Sequence, residues 1–139
     1  MLKQMKVQVY TDGASRNNPG QAGIGIVIKC QGKTLLQIGE YIGLATNNIA
    51  EYTAALRGLT EAVILGAKDV ELYADSELMI KQIKGEYRVK NEGLQPLFCQ
   101  LMALSRKFTH FKAIHIPRNN NREADDLANL GIDSIISNK

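Results

Sequence analysis

Gly23-Ile24-Gly25-Ile26-Val27-Ile28, with Val7-Gln8-Val9-Tyr10-Thr11-Asp12 before it and Thr34 to Ile42 after it, decides the fold class. Val7, Val9 and Thr11 share one face at the period of a strand, and the turn cluster Arg16-Asn17-Asn18-Pro19-Gly20 follows. Gln31-Gly32-Lys33 is a short connection containing glycine, so the runs on either side form an antiparallel hairpin or meander. The period then changes. From Asn48, the residues Tyr52, Ala55, Leu56, Leu59, Ala62 and Val63 recur at helical spacing until Gly66 stops them. Val70 to Ala74 reads as a buried strand, and Leu78 to Ile83 as a short helix ended by Gly85. Leu94 to Phe108 is a further helix, Phe111 to Ile116 a strand halted by Pro117, and about Arg122 to Leu130 a last helix. The order β-β-β-α-β-α-α-β-α predicts an α/β protein: a mixed five-stranded sheet with helices on both faces. With no repeat, low-complexity segment or linker, residues 1–139 are expected to form one domain.

The chain has 139 residues, 45% of them hydrophobic, and at this length roughly two-thirds of the unfolded surface can be buried. Two cysteines, Cys30 and Cys99, match no metal spacing and no disulfide framework; both are expected to be buried thiols in a reducing, cytoplasmic setting. Lys3 and Lys6 precede no apolar run, so no signal peptide is expected, and no stretch approaches the length of a membrane span. The net charge of +3 is small. Its distribution is more telling: Lys81, Lys84, Arg88 and Lys90 cluster around a single acid, Glu86, and Arg106, Lys107, Lys112, Arg118 and Arg122 follow. A polyanionic partner suits this pattern, since phosphate contacts dominate nucleic-acid affinity. A solvated helix face would produce the same run of charge.

Four acids stand where one expected element gives way to another. Asp12 closes the first strand and Asp75 the fourth, while Glu51 and Asp125 lie in the first turns of the long and last helices. Strand C-termini and helix N-termini converge on one rim of an α/β sheet. Carboxylates gathered there repel one another unless cations neutralise them, and hard oxygen donors suit Mg²⁺ or Mn²⁺. Taken singly, each acid has a plainer role. Asp12-Gly13 makes a turn, Glu51 three residues after Asn48 completes a capping box, Asp75-Ser76 caps a helix, and Asp125 complements a helix dipole. Four on one rim are harder to explain that way, and helix N-termini beside them favour a phosphate. His115 is expected inside the sheet and His110 exposed; neither serves as a base. No nucleophile elbow surrounds any serine, and Gly20 to Gly25 opens a strand rather than a dinucleotide-binding helix.

Tyr10-Thr11-Asp12-Gly13-Ala14-Ser15, Asn18-Pro19-Gly20, Thr46-Asn47-Asn48-Ile49-Ala50-Glu51, Asp75-Ser76 and Asn121-Arg122-Glu123-Ala124-Asp125 together resemble the motifs of type 1 ribonuclease H, in order and spacing, from about Lys6 to Leu130. The resemblance implies a ribonuclease H-like fold. It also implies cleavage of the RNA strand of RNA/DNA hybrids with two Mg²⁺ ions, Mn²⁺ being a possible substitute, to leave 5′-phosphate and 3′-hydroxyl ends. Asp12, Glu51, Asp75 and Asp125 match the four catalytic and metal-binding carboxylates. Asn18, Asn47 and Asn48 match nucleic-acid contacts, Thr46 with Asn47 a DNA-phosphate pocket, and Gly13 a backbone contact near the RNA. Lys84 and Arg88 join them as expected phosphate contacts.

Three features depart from the better-known members. Ile116-Pro117-Arg118-Asn119-Asn120-Asn121 is a short loop without the catalytic histidine, and so resembles a compact archaeal-like subgroup in which Arg118 is the candidate substitute. Between Gly85 and Leu94 there is no room for the basic protrusion. Glu77 stands where an amide commonly follows Asp-Ser. Expected partners are an RNA/DNA hybrid, with double-stranded RNA as a further candidate, and no membrane; a monomer is expected. A catalytically silent nucleic-acid-binding module is the competing function, and a structural protein with capping acids a third. The presence of all four carboxylates argues against the silent module, and failure to bind Mg²⁺ or Mn²⁺ would reveal the structural protein.

Overall fold

The computed structural model describes residues 5–136; Lys3 lies outside them. Strands β1 (Lys6–Arg16), β2 (Gly20–Cys30), β3 (Lys33–Ala45), β4 (Asp69–Ala74) and β5 (His110–His115) form one sheet in the order β3-β2-β1-β4-β5. The first three make the expected antiparallel meander, and β4 and β5 add in parallel beside β1. Helices α1 (Asn47–Ile64), α2 (Glu77–Ile83) and α3 (Gln95–Ser105) precede β4 or lie between β4 and β5, and α4 (Arg122–Ile136) ends the described chain.

Alternation along the strands puts different chemistry on the two faces. Val7 and Val9 of β1, Ile24, Ile26 and Ile28 of β2, and Val70 and Leu72 of β4 are fully buried in one apolar cluster with Tyr52, Ala55 and Leu59 of α1. Each such aliphatic side chain contributes about 1.5–3 kcal/mol by leaving water. Gly58 lets α1 come close: a Cβ there would lie 2.7 Å from Val9 Cγ1 and 2.9 Å from Thr11 Cγ2. The opposite face of β2 carries glycine instead. At Gly23 and Gly25 a Cβ would come within 2.3 Å of Ala128 O and 1.9 Å of Ala124 O, so α4 lies almost directly on the strand backbone. Gly20 to Gly25 thus begins a strand whose glycines seat a helix.

Several boundaries differ from the expectation. β1 does not close at Asp12 but runs on to Arg16, because β2 keeps pairing with it through Arg16 and Gln21. Its parallel pairing with β4 ends at Tyr10 and Tyr73, so Asp12 sits where the two strands part. Glu51 is in the second turn of α1, whose N-cap is Thr46 and not Asn48; Thr46 Oγ1 accepts from Ile49 N at 3.2 Å. No capping box forms there. Arg118–Asn121 is a turn of 3₁₀ helix, and α4 continues past Leu130. Cys30 is half-buried at the end of β2 and Cys99 is exposed on α3, since the outer face of that helix points to solvent. His115, expected inside the sheet, is exposed as the last residue of edge strand β5.

Candidate active site

Asp12, Glu51 and Asp75 each offer a carboxylate oxygen within 4.8 Å of the others. Three local devices bring them together. Asp12 projects where β1 and β4 diverge, and Asp75 follows the last residue of β4. Glu51 arrives because Gly13 lets α1 press against β1; a Cβ at Gly13 would lie 2.2 Å from the Ala50 carbonyl carbon. Asp125, in the first turn of α4, lines the same 340 Å³ cleft with Gly13, Ser15, Arg16, Asn47, Arg118 and Asn129. Its carboxyl group is close enough to that of Asp12 for the two to share a hydrogen bond. Asp12 is therefore the centre of the group.

The electrostatics follow from that placement. Asp12 is only 8% exposed. Burial, then the charge of Asp75, the hydrogen bond and charge of Asp125, and the charge of Glu51 push its pKa up to about 8 from 3.8. Glu51 rises to about 7, driven by burial and by Asp75, against a hydrogen bond from Ser76 that favours its ionised form. Ser76 has two tasks, since its Oγ also caps α2 by accepting from Met79 N at 3.2 Å. An all-carboxylate donor set centred on the buried Asp12, with Glu51, Asp75 and Asp125 half-buried, fits hard divalent cations and has no soft ligand for others.

Supporting residues came to light only in the fold. Asn121, 1% exposed, donates its Nδ2 to Thr11 O at 2.9 Å and to Asp75 Oδ2 at 3.1 Å, tying the 3₁₀ turn to β1 and to an acid. Asn129 donates to Asp125 Oδ1 at 3.2 Å. Asn121 stands inside a quoted motif and Asn129 four residues beyond Asp125, but nothing local marks the partners of either.

Arg118 lines the cleft with its Nη2 3.9 Å from Asp125 Oδ1, its side chain 79% exposed. The expected nucleic-acid contacts divide into groups. Asn47 Oδ1 accepts from Ser15 N at 3.0 Å and Asn18 Oδ1 from Asn47 N at 3.1 Å, which binds the β1–β2 turn to the start of α1 beside Thr46. Asn48 and Arg88 line one groove with Leu78, Tyr87 and Lys90. Lys84 lies elsewhere, in a groove with Phe111, Lys112 and Ile114 along β5, and pairs with Glu86 at 3.6 Å. Lys81 pairs with Glu77 at 2.8 Å and sits over the Tyr87 ring, so Glu77 is engaged within α2. The basic stretch is not a single face.

Among the described residues no helix is long and apolar enough to cross a membrane. The sequence profile of the family described as "Reverse transcriptase-like" matches residues 10–131. A Mycobacterium tuberculosis protein named as bifunctional is 40% identical over 132 residues, covering 94% of this chain and 36% of that protein. This chain thus spans about a third of that relative's length. The crystal structure of RNase H1 from Halobacterium salinarum superposes with a TM-score of 0.91 at 38% identity, covering 93% of this chain and 98% of that one. LC11-RNase H1, isolated from compost and solved in complex with an RNA/DNA hybrid, gives 0.89 at 39% identity, covering 94% and 99%. Sequence, fold and the extent of these matches agree: the chain belongs to the ribonuclease H family.

Proposed function

We propose that this chain is an endoribonuclease that cleaves the RNA strand of RNA/DNA hybrids by metal-assisted hydrolysis, leaving 5′-phosphate and 3′-hydroxyl ends. The observation that carries the reading is the single cleft that gathers Asp12, Glu51, Asp75 and Asp125, with Asp12 interacting with the other three. A binding module would gain nothing from buried negative charge facing phosphate. Two Mg²⁺ ions, or Mn²⁺ in their place, would activate a water and stabilise the leaving 3′-oxygen. Asp12, Glu51, Asp75 and Asp125 would hold these ions through their carboxylate oxygens.

The remaining roles follow from each side chain's chemistry. Asn18 and Asn47 have their amide oxygens engaged by backbone N–H groups, so each presents its NH₂ as a donor to the nucleic acid. With Thr46, Asn48 and the Gly13 backbone they would read phosphate and 2′-hydroxyl groups, which distinguish RNA from DNA. All four carboxylates of the cleft come from one chain, which supports a monomer, and the described residues act as one domain. An exposed free thiol at Cys99 suits a reducing cytoplasm. The short histidine-free loop at 116–121 favours the compact archaeal-like subgroup.

The test is a panel of labelled RNA/DNA hybrid, double-stranded RNA and DNA duplex, each with and without Mg²⁺. Cleavage of the hybrid only with metal is expected, and the double-stranded RNA lane decides whether that duplex is a second substrate. Metal-independent binding with no cleavage would identify the silent module.

Arg118 cannot act as a base, because a guanidinium stays protonated at working pH. Its long, exposed contact with Asp125 contributes little to stability. Its place in the cleft suits stabilisation of developing negative charge on the phosphate. Arg118→Ala is expected to lower kcat by about 10²-fold at most, with KM and Tm little changed. Unchanged kcat would leave the acids and metals as the whole machinery.

Arg88 shares a groove with Asn48, and Lys84 does not. Arg88→Ala should therefore lower the log–log salt slope of hybrid binding by about 1, and Lys84→Ala should leave it unchanged. A fall in the Lys84 variant alone would move the phosphate track to β5.

A further inference from the structure

Asp125 is the member of the carboxylate group on the last helix, and a chain of hydrogen bonds reaches it from β1. Arg16, at the end of β1, pairs its Nη1 with Asp133 Oδ1 at 2.6 Å and donates its Nη2 to Asn129 Oδ1 at 3.2 Å. It also reaches the Asn129 carbonyl at 3.4 Å. A guanidinium can only donate, so the amide atom facing Arg16 must be the oxygen. The Asn129 NH₂ is thereby turned towards Asp125, where it donates to the backbone carbonyl at 3.0 Å and to Oδ1 at 3.2 Å. Asn129 is one helical turn after Asp125, which puts both side chains on one face of α4. Arg16, Asn129 and Asp125 all line the cleft.

We propose that Asn129 is a positioning residue for the catalytic carboxylate of Asp125, and that Arg16 sets the direction of its amide. The inference rests on the nuclease reading above and adds residues to it. Its physical content is orientation. A carboxylate with one oxygen held by an amide donor keeps a single rotamer and leaves its other oxygen available to a cation. Partners of this kind, one bond removed from the ligand, typically change metal affinity or activity by about 10–100-fold when lost. Without Arg16 the amide is free to flip, and a flipped amide turns an oxygen lone pair towards a carboxylate.

The test uses Asn129→Leu, which keeps the shape of the side chain and favours the helix but carries no donor. Three quantities are measured: kcat and KM for the hybrid, Tm, and Mn²⁺ affinity by calorimetry on the metal-free protein without nucleic acid. About tenfold lower kcat is expected, with KM and Tm unchanged and Mn²⁺ bound several-fold more weakly. Arg16→Met should lower kcat in the wild-type background and add nothing in the Asn129→Leu background. Wild-type kcat and Mn²⁺ affinity in Asn129→Leu would overturn the proposal. So would a change confined to KM, which would make Asn129 a hybrid contact, or a loss of Tm that tracks the loss of activity. The Mn²⁺ measurement stands without cleavage, so a wild-type protein that cuts no hybrid defeats the nuclease reading and leaves the positioning role separately decided.

Discussion

Asp12→Asn is expected to abolish hybrid cleavage while making the metal-free protein more stable at pH 8. Both effects have one cause. Asp12 is the most buried of the four acids and feels the charge of the other three, so its carboxylate would contribute most to holding cations there. The amide keeps the volume and removes the charge, and loss of turnover should be complete within the assay. The stability effect comes from linkage. Burial and the neighbouring acids hold the folded-state pKa at about 8, whereas the unfolded chain ionises near the ordinary carboxylate value of 3.8. Between those pH values the folded protein binds more protons than the unfolded chain, so stability falls as pH rises across that window. Glu51, raised to about 7, adds to the same slope. Asparagine does not ionise, so the variant escapes the penalty by about 1–3 kcal/mol at pH 8 and matches the wild type near pH 4. Mg²⁺ should close the gap by binding the ionised wild-type site. Denaturant midpoints at pH 4 and 8, with and without Mg²⁺, measure this; a variant less stable than wild type in metal-free buffer at pH 8 would refute it.

The largest structural effect is expected at Gly25. An added Cβ would stand 1.9 Å from Ala124 O and 2.8 Å from Ala128 N, both backbone atoms that cannot turn aside. Gly25→Ala must therefore lift α4 from the sheet, exposing the fully buried Ala124, Ala128 and Ile132 and displacing Asp125. A loss of about 2–4 kcal/mol is expected, together with loss of activity. Gly93 is the control, because its Cβ would meet only Asn91 Oδ1, at 3.1 Å, the end of an exposed side chain. Equal denaturant midpoints for Gly25→Ala and Gly93→Ala would show that α4 does not depend on that close approach.

How far the fold could be read from the chain depended on the range of the forces involved. The meander, the long helix and the order of elements are local in origin, set by alternation, helical spacing and glycine stops at Gly66 and Gly85, both with positive φ in the structure. The four acids stood out because each lies beside a turn or cap with its own signal. Strand ends were harder. β1 continues past Asp12 only because β2 pairs with it there, a contact that the segment itself does not encode. A glycine at 131 suits a helix stop, but here it seats α4 against Glu40, with a Cβ position 2.6 Å from that residue's carbonyl carbon. Arg16 and Asn129 are 113 positions apart, and no periodicity could have joined them. The charge run from Lys81 to Lys90 looked uniform in one dimension, yet Arg88 and Lys84 line different grooves.

Under the proposed function these carboxylates, with divalent metal, direct water at the RNA strand of a hybrid. The most direct measurement is the chemistry of the ends made by the wild-type protein from a hybrid with its RNA and DNA strands separately labelled, in Mg²⁺. RNA fragments with 5′-phosphate and 3′-hydroxyl ends and an intact DNA strand are expected. Uncut RNA, or fragments ending in a 2′,3′-cyclic phosphate from attack by the neighbouring 2′-hydroxyl, would contradict it.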